Sequence, residues 1–211
     1  MKLEVLHEDN HLLIINKPAG VLVQGDITGD LPLVELAKAY IKQKHKKPGA
    51  VFLGVIHRLD RPTSGAIVFA RTSKALKRLN LQFKDRMTKK IYWAITKASP
   101  SPSSNTLIHW TVRNTKQNKS YVYQKEVPES KKAILKYSEK KKLNNYSLLE
   151  IELETGRHHQ IRSQLSAIGC PIKGDLKYGG SRSNPNGSIH LHARSLEILH
   201  PVTKKPLKCI A

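Results

Sequence analysis

Cysteine is scarce in this sequence: Cys170 and Cys209 stand alone and form no Cys-x-x-Cys pair. Nothing in that spacing builds a disulfide framework. In a reducing compartment both are read as free thiols without chemistry. Long apolar runs are missing too. None approaches the ~20 residues of a spanning helix, so a membrane role has little support. The opening MKLEVLHEDN lacks the apolar segment of a signal peptide and carries acids early, which makes a cytoplasmic location the default expectation. There is no repeat and no low-complexity tract. Acidic residues are few: 16 Asp and Glu stand against 37 Lys and Arg, a net charge of +21.

That excess points to a polyanionic partner, nucleic acid before an anionic membrane. Solubility alone needs a net charge of only about 2–8. The length of 211 residues allows one large domain or two small ones, and a hydrophobic content of 39% suffices for a packed core.

The chain opens with predicted short strands in EVLHED, HLLIINKP and, after the Pro18-Ala19-Gly20 turn, GVLVQ. Leu33, Leu36, Ala37, Tyr40 and Ile41 recur at helical spacing. AIVFA reads as a buried strand, followed by a helix capped by Thr72 or Ser73 with Leu76, Leu79 and Phe83 inward. KKIYWAITKA is rich in strand formers, and Ser99–Asn105 reads as a loop. In LLEIELE, Leu149, Ile151 and Leu153 alternate with Glu150, Glu152 and Glu154, a half-exposed strand. Asn144-Asn145 turns it back onto KKAILKYSE. After ETG, Ile161, Leu165 and Ile168 share a helix face that ends at Gly169 and Pro171. SIHLHARSLEIL is the last predicted strand. The sum is an α+β chain around a largely antiparallel sheet.

Three segments could carry chemistry. In HRLDRPTSG, Asp60 lies between Arg58 and Arg61. A nearby cation keeps an aspartate ionised, which suits a nucleophile or base; a structural ion pair explains the pattern equally well. In TGRHHQIRSQ, Arg157 and His158 lie near a helix start, and His158 and Arg162 are four apart. They make a phosphate or carboxylate clamp or, more plainly, a basic solvated face. In KKIYWAI, Tyr92 and Trp93 alternate across a strand, so one faces the core and the other a cleft where it could stack on a base; a plain core pair is the alternative. The chain has 10 histidines, but no HExxH and no cysteine cluster. A zinc site is therefore disfavoured, and with it a metal-dependent phosphodiesterase.

Together these segments resemble the RluA family of RNA pseudouridine synthases. HRLDRPTSG resembles the family's HRLDxxTSG, and KKIYWAI its KxYxA strand. TGRHHQIRSQLSAIGCPIKGDLKYGG is similar to TGRxHQIRxxLxxxGxPIxGDxxYG, LHARSLEILHP to the closing LHAxxLxxxHP, and INKPAGVLV to the early KPxGxxV turn. The matches run in order from about Ile15 to Pro201.

The resemblance implies the pseudouridine synthase fold: a mixed, mostly antiparallel central sheet with flanking helices and loops and a central RNA-binding cleft. It implies a single catalytic domain over residues 1–211 with no separate N-terminal RNA-binding module. The implied activity is isomerisation of a uridine in structured ribosomal or transfer RNA, by base flipping, without cofactor or metal; a monomer is the default expectation. It assigns Asp60 as the catalytic aspartate, Arg162 as the arginine pairing with it, and Tyr92 as the active-site tyrosine. Arg58 would occupy the space of the flipped base; Arg61, Arg157, His158 and His159 join it as RNA contacts. An inactive RNA-binding protein of the same fold is the alternative. Two departures stand out. Pro62 replaces an acidic or polar residue of many members, and the short stretch after Pro201 leaves the last strand's edge without an assigned neighbour.

Overall fold

The computed structural model describes residues 2–211. Its contacts group the chain into two compact units, Met1–Lys89 with Ala193–Ala211, and Lys90–His192.

In the first unit the apolar run of HLLIINKP forms β2 (Leu12–Lys17), antiparallel to β1 (Glu4–Glu8) and to β4 (Ser64–Ala70). β10 (Leu191–Leu199) follows β4 in the order β1-β2-β4-β10. The short β3 (Gly54–Val55) pairs with the end of β4. Helix α1 (Leu33–Lys44) buries Leu33, Val34, Ala37 and Ile41, close to the predicted stripe. Helix α2 (Ser73–Lys84) is capped by Thr72, whose side chain accepts from the Ala75 amide at 3.1 Å. Leu12, Ile14, Val68, Leu79, Leu196 and Ile198 meet in one apolar cluster.

Two local expectations change here, and one buried residue is added. GVLVQ is not a strand. Its carbonyls are committed elsewhere: Leu22 and Val23 accept from the Leu33 and Val34 amides at 2.7 and 3.2 Å, donors that a helix start leaves without internal partners. Inside α2, Leu76 and Phe83 pack half-buried against the apolar cluster as expected, and Gln82 is buried as well. Its amide brackets Leu199, donating to the carbonyl at 2.8 Å and accepting from the N–H at 3.0 Å. Beyond Pro201 the chain turns back as β11 (Pro206–Ile210), antiparallel to β10 with Leu199 opposite Pro206 and Ser195 opposite Ile210. The last strand therefore has a neighbour.

The second unit is an antiparallel set in the order β5-β9-β8-β6-β7. The strands are β5 (Lys89–Thr96), β6 (Ser104–Asn114), β7 (Lys119–Tyr123), β8 (Lys131–Lys142) and β9 (Ser147–Leu153). β6 begins inside the stretch read as a loop. In β9, Leu149, Ile151 and Leu153 are buried, and the turn at Asn144-Asn145 leads back to β8. Helix α3 (Gln160–Ala167) is buried on almost every side.

Candidate active site

The Asp60 segment is a loop held from below. Leu59 is buried, and the Asp60 carbonyl accepts from the Thr63 amide at 3.0 Å, closing a turn over Arg61-Pro62. Beyond the turn, Gly65 has φ +116°, and a Cβ there would lie 2.4 Å from the Ala193 carbonyl oxygen. Only glycine lets β4 approach β10 so closely, so the TSG of the motif sets where the loop leaves the sheet. His57 stacks on Phe83 with centroids 4.8 Å apart and accepts from the Val68 amide at 3.2 Å.

The floor of this loop is Lys17, whose side chain is fully buried at the end of β2. Its ammonium donates to the carbonyls of Pro18 (2.9 Å), Val21 (2.8 Å) and Arg61 (3.2 Å). Burial pushes its pKa down to about 8; the negative charge of Asp60 opposes that shift and Arg61 adds to it. The Gly20 amide donates to the Arg61 carbonyl at 2.7 Å, while Arg61 Nε donates to the Gly20 carbonyl at 3.0 Å. One buried cation and a reciprocal Gly20–Arg61 pair, one bond from backbone and one from the Arg61 side chain, thus join the KPAG turn to the Asp60 turn.

This alters the reading of the flanking arginines. Arg58 and Arg61 are both exposed, and Asp60 is half-buried. Arg61 directs its guanidinium to Asp30 at 2.7 Å, so it latches the loop that carries Asp30. Lys17 is thus a buried cation that feels the charge of Asp60.

The other expected site residues lie in the second unit. Tyr92, on β5 opposite Ile151, is buried, and Trp93 is half-buried with its indole N–H on Glu150 at 3.2 Å. Arg162 is 5% exposed and grips Asp175, itself 1% exposed, through Nε (2.7 Å) and Nη2 (2.8 Å). That fork-to-fork geometry is the strong form of a charge-assisted pair. Neither a solvated basic face nor an open phosphate clamp describes this arginine. Its guanidinium also lies 5.1 Å from the Tyr178 ring centroid.

His158 and His159 precede the helix instead of opening it, so the four-residue spacing of His158 and Arg162 does not place them on one helix face. His159 is the N-cap with φ 50° and ψ 28°, and α3 begins one residue later. The two rings stack at 3.7 Å. Burial pushes the His159 pKa down to about 2, with Arg162, His158, Lys177 and Arg113 adding to it. The ring stays neutral, so it offers no charge to an anion. The Tyr178 hydroxyl accepts from the Ser120 amide at 2.7 Å and lies 2.9 Å from His159 Nδ1. Ser120 Oγ in turn donates to the His158 carbonyl at 2.7 Å.

Arg157 is half-buried, with Nε on the Lys132 carbonyl at 2.9 Å. Its amide donates to Gln160 Oε1 at 2.9 Å, and Thr155 Oγ1 donates to the same oxygen at 2.8 Å. Thr155 and Gln160 thus shape the helix entry. Lys17, Asp175, Tyr178 and Gln160 all lie inside the quoted motifs. Residue type alone does not say which of them faces inward.

Comparison with known proteins follows the same residues. The family model "RNA pseudouridylate synthase" matches residues 11–167. An uncharacterized RNA pseudouridine synthase of Synechocystis sp. is 34% identical over 213 residues, which is 99% of this chain and 65% of the relative. Ribosomal large subunit pseudouridine synthase D of Xylella fastidiosa is 33% identical over 223 residues, again 99% and 65%. The chain thus spans just under two thirds of the length of these two relatives. The solved structure of Human RNA Pseudouridylate Synthase Domain Containing 4 superposes with a TM-score of 0.81 at 26% identity, covering 99% of this chain and 87% of the other. With its Asp60 turn, its Tyr92 strand and its buried Arg162, the chain belongs to the RNA pseudouridylate synthase family, in its RluA-type branch.

Proposed function

We propose that this protein isomerises uridine to pseudouridine within RNA. The N1–C1′ bond of the nucleoside breaks, the base turns, and a C5–C1′ bond forms. C5 loses a proton and N1 gains one, so atoms and electrons balance without a cofactor or metal. Asp60 is the catalytic carboxylate in this reading, Tyr92 the ring that contacts the base and takes the C5 proton, and Arg162 the third member. The observation that carries the proposal is the Asp60 turn itself, clamped by Lys17 at the Arg61 carbonyl within a chain whose family membership is established.

A uridine inside folded RNA must leave its stack before Asp60 can reach it, at a cost of a few kcal/mol. The exposed Arg58, two residues before Asp60, would fill the gap. A net charge of +21 suits RNA as the partner. Ribosomal RNA is the first class to test, because the Xylella relative is named for the large ribosomal subunit. We further infer a monomer acting in the cytoplasm as one catalytic domain.

The test is pseudouridine mapping on unmodified large-subunit ribosomal RNA, and separately on unmodified transfer RNA, after incubation with purified protein in chelator. The expected result is a new pseudouridine with wild type and none with Asp60→Asn, which still binds the RNA. No pseudouridine in either RNA, or equal yield with Asp60→Asn, would remove the assignment.

A further inference from the structure

A second feature lies apart from the Asp60 turn and is built entirely within the second unit. It is an open groove of about 880 Å³ between the β8–β9 turn, the end of β5, and residues 171–184. Its floor is made by strand-like pairing. Thr96 bridges Ile172, the Lys97 amide donates to the Pro171 carbonyl at 3.3 Å, and the Lys173 amide donates to Ile95 at 2.8 Å. That pairing sets Lys97 opposite Pro171 and Lys173 opposite Ile95, so the two lysines flank the Thr96–Ile172 bridge diagonally. One wall is tied down by Asn184, which donates to the Ser188 carbonyl at 2.9 Å and to Ser188 Oγ at 3.1 Å. Gly174 makes room for it: a Cβ there would lie 2.8 Å from the Ser188 carbonyl oxygen, and φ is +89°. The glycine of the GD motif is thereby explained by the groove wall.

The lining holds four cations, Lys97, Lys142, Lys173 and Arg182, and no carboxylate. A cationic ligand would find no counter-charge. Polar surface outweighs apolar surface in the lining, whereas an ordinary ligand pocket is predominantly apolar. One aromatic is present: Tyr146, half-buried, with the Lys173 ammonium 4.6 Å from its ring centroid. Clustered cations beside an aromatic ring are the pattern that tracks a single strand of nucleic acid, phosphates on the cations and a base on the ring.

We propose that this groove is a second RNA-binding site, taking an unpaired stretch of the substrate RNA outside the reacting uridine. The proposal rests on RNA being the substrate class. Lys97, Lys142, Lys173 and Arg182 hold successive phosphates, and Tyr146 offers its ring to a base. The site contributes affinity and leaves the chemical step alone.

The test compares wild type with Lys97→Ala/Lys142→Ala/Arg182→Ala and with a control that removes equal charge elsewhere in the same unit, Lys116→Ala/Lys125→Ala/Lys131→Ala. The probe is a labelled oligouridylate of about 16 nucleotides, the upper end of single-strand site sizes, titrated at several salt concentrations. Each phosphate contact adds about 0.7 to the log–log salt slope on a single strand, so the groove variant should lower the slope by ~2. Its affinity should fall about tenfold or more, the control's far less. Tyr146→Ala should cost about fivefold or more in affinity, and Tyr146→Phe almost none. Thermal melts confirm that the variants fold.

Equal losses in both triple variants, or none in the groove variant, would overturn the site in favour of a diffuse surface field. So would lost single-turnover rate at saturating RNA with affinity unchanged. Wild type that makes no pseudouridine while groove-dependent binding persists would sink the proposed activity and leave the groove standing. Activity without groove-dependent binding would do the reverse.

Discussion

Arg162 and Asp175 form a two-pronged buried ion pair, with Nε to Oδ2 at 2.7 Å and Nη2 to Oδ1 at 2.8 Å. The pair ties α3 to the loop that follows it. Both partners have left water, so their mutual geometry must compensate two desolvation costs.

Removing one partner breaks both hydrogen bonds of the pair. Asp175→Ala should destabilise the protein by ~3–5 kcal/mol, because a buried guanidinium loses a two-pronged carboxylate partner. The double variant Arg162→Met/Asp175→Leu should recover much of that loss, while losing turnover. Urea unfolding of the two variants checks this, and a loss well under 1 kcal/mol for Asp175→Ala would contradict it.

Lys17→Met strips three carbonyls of a donor under the Asp60 turn. An unsatisfied buried group costs roughly 1–3 kcal/mol, so a loss of ~3 kcal/mol is expected, or about 6–12 °C in Tm at this chain length. The pH dependence has a definite sign. Burial lowers Lys17 from its ordinary 10.5 to about 8 in the folded chain, so between those values the unfolded chain holds the extra proton. Its contribution to stability therefore grows as pH rises through that window and is lost as pH falls through 8. The alkaline gain should be present in wild type and missing from Lys17→Met in paired denaturant titrations.

His159 gives the acid counterpart. Its folded value near 2 lies below the ordinary 6.5. As pH falls below 6.5 the unfolded chain takes up a proton that the folded ring refuses, and stability declines. His159→Gln should show a shallower decline between pH 6.5 and 4.5. Glu8 and Asp9, both lowered to about 2, add their own losses only below that range. Identical slopes for wild type and variant would show that the ring does not titrate as described.

Tyr92→Phe keeps the ring and removes the hydroxyl. Turnover should fall by about 10²–10⁴, the range of a lost general base, with RNA affinity nearly unchanged. Single-turnover rates at saturating RNA decide it; an unaltered rate would leave Tyr92 a stacking surface only.

Arg58→Ala should hurt most when the target uridine starts stacked or paired, since an unpaired base costs less to flip. A phosphate contact would instead weaken folded and unstructured RNA alike and make the salt slope shallower by roughly one unit. Rates and affinities on both RNAs, at several salt concentrations, separate the two roles.

The sequence by itself determined whatever is encoded within a few residues. The alternation of Leu149, Ile151 and Leu153 reads directly as β9, because a strand sends successive side chains to opposite faces. Thr72 is legible as a cap because the donor it satisfies lies three residues on. The ordered motifs were legible as a family before any geometry. The tertiary structure alone decided what depends on distant partners. GVLVQ has a strand's composition but spends its carbonyls on the start of α1. PLKCI has little strand signal and becomes β11 because β10 offers it an edge. His159 takes a left-handed conformation that ends the local reading of a helix. Lys17 meets the Arg61 carbonyl across 44 residues, and Arg162 finds Asp175 across 13. A charged residue looks the same in sequence whether water or a buried partner satisfies it, and only folding brings the partner within hydrogen-bond reach.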